Sequence, residues 1–82
     1  MKLSIYTIQS TIFDGEVESI TLPTPLGEIT VLDRHIPLIS LVKPGEVRYT
    51  LYGDKKGAIS LSGGMLEVRP ESEVVLLAEE KV

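Results

Sequence analysis

Eighty-two residues without a cysteine exclude disulfides and thiolate metal sites. Twelve acidic residues against eight mostly scattered basic ones, a formal net charge of −4, argue against a nucleic-acid binder, which needs clustered Lys and Arg to displace counterions from phosphates. No run approaches the ~20 apolar residues of a membrane-spanning helix, and the N-terminus lacks the apolar core of a signal peptide, so the chain reads as soluble and cytoplasmic. With 43% hydrophobic residues, a chain this short buries about 60–65% of its unfolded surface. That suffices for one domain, residues 1–82, with a thin margin that a permanent partner would widen.

Helical periodicity is hard to find, whereas short alternating runs punctuated by Gly and Pro recur about every 8–12 residues, the spacing of an all-β sandwich or barrel. The first strands are expected over residues 3–8 and 15–22. Pro23-Thr24-Pro25 ends the second, because proline donates no ladder hydrogen bond and restricts its predecessor. Residues 27–32 and 38–42 follow, then a turn at Lys43-Pro44-Gly45. The alternation is clean over 46–52, where Val47, Tyr49 and Leu51 share one face and Arg48 and Thr50 the other. This run pairs with 58–61 across a polar loop, residues 53–57. At Ser62-Gly63-Gly64 two alternating runs pivot on a Gly-Gly step, which reads as strand, turn and strand, since Gly lets backbone bend, bulge or approach a neighbour closely. A last hairpin joins 65–69 to 73–78 around Pro70-Glu71-Ser72. Val74-Val75-Leu76-Leu77-Ala78 is apolar on both faces, as expected of a strand buried on two sides or covering a partner.

Candidate chemistry is sparse. His35 is the only histidine, flanked by Asp33 and Arg34. None of the serines sits in a G-x-S-x-G nucleophile elbow, and no second His or Cys could complete a metal site. A loop histidine satisfying local hydrogen bonds, or touching a partner, is the simpler reading. Ser62-Gly63-Gly64 lacks the lysine and following helix of a phosphate loop. The glutamates fall at polar strand positions and turns, where solvated surface is the default. Lys55-Lys56 at a hairpin tip raises a second possibility, a biotinyl- or lipoyl-type carrier domain modified on one of these lysines, although Gly-Asp-Lys-Lys-Gly lacks the residues that flank the carrier lysine. A sugar- or peptide-binding sandwich would need an aromatic platform, and the chain has no Trp, one Phe and three Tyr. What remains is a binding or assembly module.

Five landmarks in fixed order support that reading: Phe13, Gly15 and Val17; Gly27 and Glu28; His35, Pro37 and Leu38; Lys43, Pro44 and Gly45; Ser62, Gly63, Gly64, Leu66, Glu67 and Val68. Together they resemble the N-terminal β-sandwich domain of the F-type ATP synthase epsilon subunit. The resemblance implies a flattened sandwich or barrel of two antiparallel sheets with about eight to ten short strands. It further implies a non-catalytic central-stalk (rotor) subunit without cofactor, which links gamma to the c-ring and couples proton or sodium flow to ATP synthesis. Its partners would be gamma and the c-ring, within an F1 complex with alpha, beta and delta. Its place would be peripheral, at the cytoplasmic face of the bacterial inner membrane. Glu28, Arg34 and His35 would face the c-ring, Glu28 as partner for a basic residue there. Thr7, His35, Ser40, Gly63 and Gly64 would face gamma. Two departures stand out. Asp33-Arg34 occupies a place where many relatives carry Pro-Gly or Asn-like residues. The sequence also stops at Val82, short of the helical hairpin that inhibits ATP hydrolysis in many relatives, so that role is not expected of it.

Overall fold

The computed structural model describes residues 1–80. Among them are eight strands and no helix: β1 Lys2–Tyr6, β2 Thr11–Glu16, β3 Ser19–Thr24, β4 Gly27–Leu32, β5 Leu38–Val42, β6 Gly45–Thr50, β7 Lys56–Arg69 and β8 Glu73–Glu80. Hydrogen bonding runs continuously in the order β2-β1-β8-β7-β6-β3-β4, with β5 on β7. The all-β class expected from the alternation stands. The expected pair of purely antiparallel sheets differs in two details. The ladder is unbroken, and β1 and β8 run parallel, Leu3 opposite Val74 and Ile5 opposite Leu76. A parallel pair needs a long connection, and here nearly the whole chain separates the two strands.

β7 is what folds this ladder into two layers. Its first half pairs with β6, Leu61 opposite Gly45 to Lys56 opposite Thr50. Its second half pairs with β5, Gly64 opposite Val42 to Val68 opposite Leu38, and along its other edge with β8. One layer is therefore β4-β3-β6 with the start of β7, and the other is β5, the end of β7, β8, β1 and β2. Inward side chains of both layers merge into one core that includes Ile20, Leu22, Val31 and Val47 from the first and Leu3, Ile5, Leu66, Val74 and Leu76 from the second. Phe13 and Tyr49 meet across the layers, ring centroids 4.6 Å apart.

Three local expectations change. The Gly-Gly step is not a hairpin turn but a bulge inside one 14-residue strand: the register shifts between Leu61 and Gly63, and the buried phase moves from odd positions (Leu61) to even ones (Leu66, Val68). An extra residue bends its strand and increases twist, which carries β7 from one layer to the other. Gly63 has φ +136, and a Cβ on Gly64 would collide with the carbonyl oxygen of Leu77. One glycine is thus required by conformation, its neighbour by space. Second, residues 11–16 form a strand of their own, and β3 starts only at Ser19. Third, Pro23 lies within β3, opposite Glu28. It is tolerated because β6 stops pairing with β3 at Thr21; beyond that point the Pro23 carbonyl accepts from Lys43 N (2.9 Å). Thr24 closes the turn that follows, its hydroxyl donating to Gly27 O at 2.7 Å.

Candidate interface surfaces

Cross-strand neighbours share a face of the sheet, so register decides what each layer presents outward. On the second layer Leu41, Met65, Leu77 and Tyr6 lie opposite one another in a row across β5, β7, β8 and β1. Leu41 is 58%, Met65 45% and Leu77 57% exposed. The next row holds Ile39 and Val75, with Glu67 between them. A shallow depression of about 720 Å³ covers the first row and is lined also by Thr7, Gln9, Gly64 and Glu79. A second, of about 350 Å³, lies beside it over Ile39, Glu67, Arg69 and Val75. At its border Arg69 is gripped by Glu73 and Glu67, each at 3.0 Å. Those two hydrogen bonds, Glu73 first, raise its pKa further above the ordinary guanidinium value.

The outer face of the first layer is polar. The Thr21 and Thr30 hydroxyls are 2.8 Å apart, and Arg48 reaches across β3 from β6 to β4, its Nη2 donating to Glu28 Oε2 at 3.0 Å. Its Nη1 is 3.9 Å from Glu46. Leu26 stands at the tip of the β3–β4 turn almost fully exposed.

Asp33, Arg34 and His35 cluster with the β7–β8 turn. The Arg34 backbone N–H donates to Ser72 Oγ at 3.2 Å. The Ser72 hydroxyl in turn hydrogen-bonds Asp33 and holds its carboxyl below the usual 3.8, against a smaller opposing desolvation and with help from the nearby α-ammonium and Arg34. The His35 backbone N–H donates to Leu32 O (3.2 Å), and its Nδ1 lies 2.7 Å from Ile36 O. A carbonyl only accepts, so Nδ1 is the donor in this contact. Asp33 serves Ser72 and His35 serves the backbone, an arrangement that supplies no nucleophile–base–carboxylate relay.

A family model for the beta-sandwich domain of the ATP synthase delta/epsilon chain matches residues 1–82. The chain belongs to that family. It is 40% identical over 80 residues to the ATP synthase epsilon chain of Aquifex aeolicus, covering 98% of this chain and 58% of that one. It is likewise 40% identical over 77 residues to the epsilon chain of Neisseria meningitidis serogroup B, covering 93% and 55%. The chain thus spans little more than half the length of the relatives it matches. Among solved structures, a chain of the Euglena gracilis mitochondrial ATP synthase superposes with a TM-score of 0.90 at 30% identity, covering 98% of this chain and 51% of that one. One from the Tetrahymena thermophila enzyme's central stalk and c-ring gives 0.80 at 15% identity, covering 96% and 63%, a likeness of fold. Membership of the delta/epsilon family over the full length overturns the carrier-domain alternative. Lys56 begins β7, and only Lys55 remains in the connecting loop.

Within this delta/epsilon sandwich the expected contact residues are dispersed. Thr7 and Gly64 border the same apolar depression, although the Thr7 hydroxyl also accepts from Ser10 N (3.1 Å) to close the β1–β2 turn. Gly63 is buried in the corner. Ser40 is opposite the inward Leu66 and therefore points away from that surface. Glu28 and His35 lie toward opposite ends of β4, since four residues at ~3.3 Å each separate Glu28 from Leu32, which receives the His35 N–H. Tyr6, Leu41, Met65 and Leu77 are not among the contacts that the sequence points to. The two-sided apolar run 74–78 was the available signal for Leu77; the other three join it only through register.

Proposed function

We propose that this chain acts as the epsilon-type rotor subunit of an F-type ATP synthase. It catalyses nothing itself; within an F1 complex with alpha, beta and delta, it ties gamma to the c-ring so that torque from ion flow reaches the catalytic head. The observation that carries this reading is the match to ATP synthase epsilon chains at about 40% identity across nearly all of the chain. The two unlike outer faces support it. The apolar row of Leu41, Met65, Leu77 and Tyr6, with Thr7 and Gly64 at its edge, suits gamma, because burying apolar surface drives lasting association. The polar face with Glu28, together with the exposed Leu26 turn, suits the polar, partly basic loops of a c-ring. Arg34 and His35, at the far end of β4, are placed for a flanking contact with either partner. The subunit would lie peripherally, at the cytoplasmic face of the inner membrane.

A sandwich suits this work: two layers locked through one core resist shear, and a broad contact divides load among many weak interactions. The test is depletion of the chain from the synthase of its own organism. Hydrolysis by the catalytic head should persist while ATP-driven ion pumping is lost, and adding the chain back should restore pumping. Full pumping without it, or its absence from purified synthase, would sink the proposal.

A further inference from the structure

We infer that Arg48 is a positioning residue for the c-ring contact, holding the Glu28 carboxylate in place for a basic side chain of the partner. This rests on the rotor reading above and adds to it a residue outside the contact itself. The Arg48 side chain lies across β3, from β6 to β4, over two strand spacings of ~4.8 Å each, and donates to Glu28 Oε2 at 3.0 Å. Both side chains are about half exposed, 51% and 57%. An ion pair that wet adds little to folding stability, so its consequence is geometric. A solitary surface glutamate samples many rotamers, and a partner must immobilise it on docking. Glu28 is already restrained.

The charge also remains favourable. Arg48 faces two carboxylates, Glu28 and Glu46 at 3.9 Å, so one positive and two negative charges leave the trio at −1. A carboxylate offers two oxygens, and Arg48 holds Glu28 by one of them, which leaves acceptor capacity for a second cation. Leu26, two residues earlier and 98% exposed, gives the same contact an apolar edge that would displace water on docking and strengthen the pairing.

The test uses synthase depleted of the native chain and rebuilt with variants, reading ATP-driven ion pumping against hydrolysis over a range of salt, with melting temperatures of the isolated chains. Arg48→Met should melt within about 4 °C of the parent yet weaken pumping about fivefold at moderate salt, and Arg48→Lys should recover part of it. The decisive variant reverses the pair, Glu28→Arg with Arg48→Glu. It rebuilds the contact between positions 28 and 48, at the cost of a carboxylate beside Glu46, so melting should stay within about 4 °C of the parent, while position 28 now offers the partner a cation and pumping should be lost. Parental pumping by the reversed pair, or by Arg48→Met at every salt concentration, would overturn the inference while leaving the rotor reading intact. Pumping that is unaffected by omitting the chain altogether would overturn both.

Discussion

Arg34 shows how one residue can sit against its own preference. Its φ of 63 lies in the left-handed region, where a side chain costs about 1–2 kcal/mol that glycine does not incur. Glycine, or asparagine with its short polar side chain, meets this backbone conformation at lower cost. Arg34→Gly should relieve that strain against a loss of about 0.5–1 kcal/mol from the freer unfolded chain, for a net gain of roughly 0.5–1 kcal/mol in unfolding free energy, read as a higher urea midpoint at unchanged slope. Its neighbour Asp33 contributes to acid sensitivity. Its folded-state pKa lies below 3.8, chiefly through the Ser72 hydroxyl. The ionised form is therefore favoured by folding; the contribution is complete above the unfolded value and disappears as pH falls through the depressed one. Ser72→Ala should bring the Asp33 titration, followed by carboxyl NMR, back up toward 3.8. It should also flatten the loss of stability below about pH 4.

At the scale of elements, β7 decides the architecture, and two of its glycines respond differently to the same substitution. A methyl on Gly64 would meet the Leu77 carbonyl, a fixed backbone group, while one on Gly57 would meet the ring of Tyr49, which lies over it as its cross-strand partner. A side chain can swing and a paired backbone cannot. Gly64→Ala should cost roughly 2–3 kcal/mol, and Gly57→Ala about 1 kcal/mol with a loosened Phe13–Tyr49 contact. Equal losses in denaturant titrations would contradict this account of the corner.

For the molecule as a whole, the contrast between its two outer faces is what the proposed rotor role would use, the apolar row against gamma. Leu77→Asp places a charge in the centre of the apolar row at a position already 57% exposed. The isolated chain should keep its stability to within about 0.5 kcal/mol, while affinity for gamma should fall by roughly 30-fold, the loss expected at a buried interface centre. Titration calorimetry against gamma measures it, and Ser60→Asp, at a position opposite Glu46 on the polar face, is the control that should leave affinity unchanged.

The all-β class, most strand positions and, through five short landmarks, the family are legible in the residues alone. These are local signals: period-two alternation reports a half-buried strand, and Gly or Pro reports a required backbone angle. They mislead at residues 11–24 and the Gly63-Gly64 step because a bulge and a turn use the same glycines, and because a proline is tolerable or not depending on which neighbour needs its N–H. Which side chains meet depends on how the strands pair. Register across four strands assembled Tyr6, Leu41, Met65 and Leu77 from distant parts of the chain, turned Ser40 away from them, and drew Arg48 to Glu28. Single-strand alternation says that two faces exist; pairing alone says what stands beside what.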